Sequence, residues 1–333
     1  MSRLRSEPSP RARSAIRAVV AVVAAAVIAA GLVVTWPSSS DDGGPDAAVT
    51  VPLAQGLKPA DPAPSRSVPA RHTGPQGRVG QFVVGCTYSH SGSHDPIVHP
   101  GHEGRSHRHD FYGSVATSSM SEIEDLLPAE TTCDKSADTA AYWQPTLYDH
   151  DEIVVPTEIH AYYRAAPGID PATVRSMPLG LALIAGDSTA MEPQPGEAAG
   201  WTCGSNTTLS DDPPVCPPGA PLHLVLTFQD CWDGRYRDSV DHKSHAAYSS
   251  RGACPGSHPV SIPQVTVSIA FPITDEGHEL RLASGSIHSA HGDFWNAWDP
   301  DGLEREIASC IRRGAVCDLA SNRAEEPLFS GGG

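Results

Sequence analysis

Charge is scarce in this chain, and so are the patterns that build long helices. Asp, Glu, Lys and Arg make up only 19% of the 333 residues, against 30 glycines and 31 prolines. That balance favours many turns over a helical bundle. Basic clusters are missing from the body of the chain. The net charge is −16, and Arg3, Arg5, Arg11, Arg13 and Arg17 all precede the first apolar run. Nucleic acid and anionic lipid both need clustered cations, so this argues against either as a partner. There is no CxxC pair, which leaves a zinc ribbon or thioredoxin-type motif without support. A GxSxG elbow, a phosphate-cradling glycine loop and a dinucleotide fingerprint are also missing, and no internal repeat is present.

One apolar run exists. Ala18 to Trp36 carries no charge, and as a helix it would span roughly 28 Å, about the hydrocarbon thickness of a bilayer. Arginines before it and Asp41 and Asp42 after it fit an N-terminus inside and a body outside. A cleaved signal peptide is the rival, but the Ala-x-Ala patterns lie inside the run and Trp36-Pro37 follows it. The chain is therefore divided into a basic cytoplasmic tail (1–17), a membrane anchor or signal sequence (18–36), and a Pro/Ala/Ser tether (37–77). An extracytoplasmic β domain (78–320) and a short tail (321–333) complete it. The expected location is the cell membrane, single-pass, with secretion if the segment is cleaved.

Eight cysteines all lie after residue 85. In an exported protein they imply four disulfides. Sequence does not fix the pairing. Proximity favours Cys203–Cys216, Cys231–Cys254 and Cys310–Cys317, which leaves Cys86–Cys133.

The folded part reads as strands between turn-rich loops. Gln81 to Cys86, Ala141 to Leu147, Ile159 to Arg164, Leu179 to Ala185 and Leu222 to Phe228 have strand character. Val265, Val267, Ile269 and Phe271 alternate with Thr266, Ser268 and Ala270, as in a half-buried strand. Ser121 and Glu124 form an S-x-x-E capping box for one or two helical turns. Near the end, Asp299 can cap a helix with Pro300 at its first position, and Leu303, Ile307 and Ile311 share a face. The expected fold is an all-β single domain, sandwich or jelly-roll-like, with long loops, one short C-terminal helix and disulfide bonds.

Histidine carries the chemical signal. In Gly104 to Gly113 (GRSHRHDFYG), His107 and His109 are two apart, so an extended chain aims both imidazoles one way and Asp110 the other. This spacing suits metal ligation, against the alternative of a polar strand face. Asp241-His242-Lys243-Ser244-His245 repeats the pairing of His with Asp, as does His291-Gly292-Asp293. In the latter, Gly292 permits a tight turn and His291 is a suitable proton carrier. His90, His94, His99 and His102 lie in a Gly/Pro-bearing segment that reads as a solvated loop, with a lid or weak metal tract as the alternative.

Several of these stretches together resemble a family of exported proteins from fungi and actinobacteria whose function is catalogued as unknown. The matching pieces are His107 to Gly113, Tyr142-Trp143-Gln144-Pro145, Phe228 to Gly234, Asp241 to His245, His258-Pro259-Val260 and His291 to Phe294 with Trp298. The resemblance spans roughly residues 80–312. Some fungal members carry wall-binding modules, which implies a carbohydrate-rich setting.

The expectation is that these segments meet in one polar site acting on cell-envelope polysaccharide by hydrolysis or β-elimination, perhaps with a divalent metal. His291, Asp293, His245 and His109 are the candidate catalytic residues. His107, His109 and His242 are the candidate metal ligands. Trp143, Tyr142, Asp241 and Trp232 are the candidate substrate contacts. A non-catalytic glycan-binding domain and a metal-capturing domain are the alternatives.

Overall fold

The computed structural model describes residues 80–194 and 198–317, with the backbone of three short strands at Ser67–Pro69, Thr73–Gly74 and Gly77–Arg78. The apolar run at 18–36 and the tails lie outside the described residues. Among the described residues, no helix is long and apolar enough to cross a membrane.

The domain is built around one long sheet. Its main strands are β1 (Gln81–Gly92), β2 (His109–Gly113), β3 (Ala141–Pro145), β4 (Glu158–Arg164), β5 (Ala182–Gly186), β6 (Ala199–Cys203), β7 (Leu222–Thr227), β8 (Gln264–Phe271) and β9 (His291–Trp295). They neighbour one another in the order β5-β9-β3-β2-β1-β4-β8-β7-β6. Every pairing along this path is antiparallel. A tenth strand, β10 (Ala315–Cys317), adds in parallel beside β1.

Strand β1 turns the sheet back on itself. Residues 81–87 pair with β4, while Tyr88 to Gly92 pair with β2 after a register shift between Tyr88 and His90. An extra residue at such a point bends the strand and increases its twist. The two halves of the sheet then face each other. Leu183, Ala185 and Phe294 of one half share a single core with Leu224, Leu226 and Phe228 of the other. The Gln229 amide, just past β7, donates to the Ile184 carbonyl of β5 at 2.9 Å, so the circuit is nearly closed. Gly292 sits where the halves press together: a Cβ there would lie 2.5 Å from Leu226 Cδ1.

The disulfides pair as Cys86–Cys133, Cys203–Cys216, Cys231–Cys254 and Cys310–Cys317, the pairs that proximity favoured, and no cysteine is free among the described residues. Two local expectations are corrected. The first helix, α1 (Ile123–Leu126), is capped one residue later than the S-x-x-E pattern implies, by Glu122 and Asp125 in a reciprocal box. Strand β8 is buried at all eight positions rather than on one face. Ser268 and Thr266 bond His223 and Thr227 of the neighbouring β7, so alternation in the sequence does not mark a wet face here. The late helix α2 (Pro300–Glu306) begins at an Asp299 cap, continues into a wider turn, and buries Leu303, Ile307 and Ile311.

Candidate metal centre

The outer face of the β5-β9-β3-β2 quartet carries the site. Period-two alternation sorts each strand. Leu183 and Phe294 point into the main core, whereas Ile184, Trp143 and Phe111 form a second, smaller cluster on the opposite face. Asp293 lies directly beside two members of that cluster, His109 lies two residues before Phe111, and His291 lies two residues before Asp293 on the same face. Asp293 is paired with Trp143 on β3 and Ile184 on β5, and His109 is paired with Pro145. The segment 93–108 closes over this face, inserting Ile97 into the small cluster and burying His94 and Asp95. That corrects the reading of His90 to His102 as a solvated loop. Its first half is a cover for the site.

Three imidazoles from two distant segments converge here. His107 Nε2 and His291 Nε2 are 3.2 Å apart. The His107 and His109 rings are 4.3 Å apart at their centroids, and His109 and His291 are 5.9 Å apart. One donor atom from each of the three lies within 4.8 Å of the others. A second triad, Asp95, His109 and Asp293, meets the same criterion and shares only His109 with the first.

Hydrogen bonds fix which nitrogens face inward. His109 Nδ1 lies 3.0 Å from the His94 carbonyl, and His291 Nδ1 lies 2.8 Å from the Ser289 carbonyl. A carbonyl only accepts, so each Nδ1 carries the proton and each Nε2 presents a lone pair. This is how metal-binding histidines are usually oriented. His109 Nε2 has no partner, and neither oxygen of Asp293 has one, although these side chains are 0% and 1% exposed. Two nitrogens bound at about 2.1 Å to a tetrahedral ion would sit roughly 3.4 Å apart, close to the His107–His291 separation. The residues therefore fit a divalent cation.

The electrostatics agree. Burial, followed by the neighbouring His99, pushes His107 down to about 4. Burial also pushes His291 to about 4, with His107 and Lys243 contributing against a raising bond to Ser289. His109 is driven well below its ordinary range by burial and then by His107 and His291. The histidines are held neutral, the form that ligates a metal. Asp293 is pushed well above the carboxylate range by burial and by Asp95, with Lys243 opposing. Asp95 is raised by burial, against backbone donors from Val98 and Ile97.

Other residues singled out in the sequence lie apart from the two triads. His245 is buried with both nitrogens engaged, Nε2 donating to the Ala182 carbonyl at 2.6 Å and Nδ1 bonding Ser239 Oγ at 2.9 Å. It pins its loop to β5. His242 pairs with Asp238 at 2.8 Å and joins neither triad. Asp241 organises a turn: its Oδ1 accepts from Ser239 Oγ, Ser244 N, Ser244 Oγ and Lys243 N, which hold the carboxyl below its usual range. Tyr142 is a core residue donating to Asp138 at 2.7 Å. Trp143 is buried beneath the site against Phe111. Neither offers a face to a sugar ring. Trp232 is half-buried, its indole donating to the Tyr236 carbonyl at 2.6 Å.

Two site residues escaped the sequence reading. Asp95 hides in a Ser-His-Asp-Pro turn, though it repeats the pairing of His with Asp seen elsewhere. Lys243 donates to the Gly186 carbonyl at 2.6 Å, and Gly186 is the strand partner of His291. Two other groups of potential ligands, Cys86/Cys133/Asp138 and Asp230/Cys231/Cys254, have their sulfurs tied up in disulfides.

Comparison with protein families finds a match. The family described as Domain of unknown function (DUF1996) matches residues 95–298. That interval begins at Asp95 and contains every donor of both triads. No curated protein and no solved structure matches the chain.

Proposed function

The chain belongs to the DUF1996 family, whose description assigns no reaction, and from the site itself we propose that this domain holds a divalent transition metal through His107, His109 and His291. The observation that carries the reading is the orientation of His109 and His291. Each commits Nδ1 to a carbonyl and turns Nε2 inward, and His109 Nε2 is buried without a partner. Imidazole ligands suit zinc, copper, iron or nickel. His107 is the half-exposed member, so an incoming group reaches the ion from its side.

The reaction proposed for this centre is metal-assisted hydrolysis or β-elimination of cell-envelope polysaccharide. The domain would stand outside the membrane, tethered through the apolar run at 18–36. Four disulfides support an extracytoplasmic setting. A bound metal would supply Lewis acidity at the substrate oxygen or an activated water. Metal analysis of protein purified without a His tag, followed by assays for reducing ends and unsaturated sugars on envelope polysaccharides, tests both parts. Stoichiometric metal with turnover lost in His109→Ala and His291→Ala supports the enzyme. Metal without turnover of any such polymer supports capture instead, which the near-complete burial of His109 and His291 favours. No metal at all ends both readings.

A further inference from the structure

We propose that the site is built for two cations, with a carboxylate position at Asp95 and Asp293 beside the histidine position at His107 and His291. The inference rests on the metal reading above and extends it. The donors form two triads that share His109 and nothing else. The five donors do not gather into one group within 4.8 Å, so a single ion bound at about 2.1 Å does not reach all of them in this arrangement.

The second position has its own evidence. Both oxygens of Asp293 are buried without a partner. Asp95 commits Oδ1 to the backbone N–H groups of Ile97 and Val98 at 3.0 and 2.9 Å, which orients the carboxyl toward the site. Two buried carboxyl groups bring oxygens within 4.8 Å of each other, an arrangement that a bound cation would compensate. Backbone donors fix Asp95 much as the carbonyls of His94 and Ser289 fix the two histidines. The chemical class also differs between the ends. With its Nδ1 bonded to the His94 carbonyl, His109 has one free nitrogen and serves one ion at a time. The three neutral imidazoles select a transition ion, while the two carboxylates suit a harder divalent cation such as Mn²⁺ and also accept Zn²⁺.

The experiment is metal counting on the full chain. Protein stripped with chelator is reloaded with Zn²⁺, passed through a desalting column, and analysed by plasma mass spectrometry, with near-UV circular dichroism to verify folding. Two Zn²⁺ per chain are expected in the native protein. Asp95→Asn and Asp293→Asn should each retain one, and His107→Ala with His291→Ala should retain one at the other position. One Zn²⁺ in the native protein, kept in full by Asp95→Asn, would overturn the second position while leaving the histidine site intact. One Zn²⁺ that disappears in every variant would mean a single shared ion, which also overturns it. No Zn²⁺ in correctly folded native protein would remove the histidine reading and this inference together. Should Asp293→Asn misfold, the Asp95→Asn count decides alone.

Discussion

Replacing Asp138 by Asn should stabilise the protein at alkaline pH and leave it unchanged in acid. Asp138 is fully buried, accepting from Tyr142 Oη at 2.7 Å and from the Ala140 N–H at 3.0 Å. Tyr142 meets Tyr163, whose hydroxyl accepts from the Trp298 indole at 3.1 Å. Burial pushes Asp138 up to about 7, with hydrogen bonds from Tyr142 and Ala140 opposing and Asp134 adding to the rise. The folded state thus holds a proton that the unfolded chain releases near 3.8. Stability from this group is fully present below the unfolded value and falls as pH rises toward 7, by about 1.36 kcal/mol per pH unit. Over that window the loss is about 4 kcal/mol, an order-of-magnitude figure. Asn reproduces the protonated acid: its amide donates to Tyr142 and its carbonyl accepts from Ala140. For a domain of this size about 1 kcal/mol shifts Tm by roughly 2–4 °C. Asp138→Asn should therefore melt roughly 8–16 °C above the native protein at pH 8, and within about 2 °C of it at pH 4. Calorimetry at both pH values, with bound metal chelated throughout, measures this. Equal destabilisation at both would refute the reasoning, because it would mean the carboxylate is welcome in the core.

Metal removal should lower Tm: at a free metal concentration 100 times Kd the bound ion contributes about 2.7 kcal/mol, and scanning fluorimetry with and without chelator reads the shift. His245→Ala should cost about 1–3 kcal/mol in urea unfolding by stranding the Ala182 carbonyl and Ser239, yet leave metal content unchanged, the opposite of His109→Ala. Gly292→Ala should destabilise by about 1–3 kcal/mol, since its Cβ would press on Leu226 Cδ1 and lie 3.2 Å from the Trp143 carbonyl; unfolding midpoints report it. Replacing Cys86 and Cys133 by Ala opens a span of 47 residues, and chain entropy puts the loss at about 4 kcal/mol, visible as a lower urea midpoint at unchanged slope.

The strands and disulfides were legible because each rests on local chemistry. Strand β3 is a run of β-forming residues between turns, and Cys310 and Cys317 are too near each other to look elsewhere first. Part of the site was legible for the same reason. His107 and His109 share a face because side chains two apart on an extended segment do so, and Asp110 points inward to Ser91 and Thr146 at 2.8 Å each. His291 and Asp293 follow the same rule on β9. What remained hidden depends on tertiary placement. Asp95 sits in a Pro-bearing turn that reads as solvated, and only the fold of the 93–108 segment over the sheet buries it. His245 resembled His109 by composition. The difference is that Ala182 and Ser239 lie where they can satisfy both its nitrogens. Tyr142 and Trp143 are strand aromatics in either reading, and the closure of the sheet and its cover decides that both are core.

This protein satisfies its buried carboxyl groups wherever they serve structure. Asp110 receives two hydroxyls, Asp138 a hydroxyl and an N–H, and Asp230 the Ser249 N–H at 2.9 Å. Asp293 is the exception among the buried carboxylates of the described residues, with neither oxygen engaged. Leaving a buried carboxyl without a hydrogen-bond partner costs about 1–3 kcal/mol. A structural role would be met more cheaply by Asn or Leu at the same position, since the surrounding Ile184 and Trp143 already form an apolar patch. The exception also falls at one place. Beside Asp293 lies His109, whose inner nitrogen is equally unpartnered, and that ring belongs to both triads. Two unmet acceptors converging on the same few ångströms, with their outer atoms or neighbours held by backbone groups, are explained together by a cation.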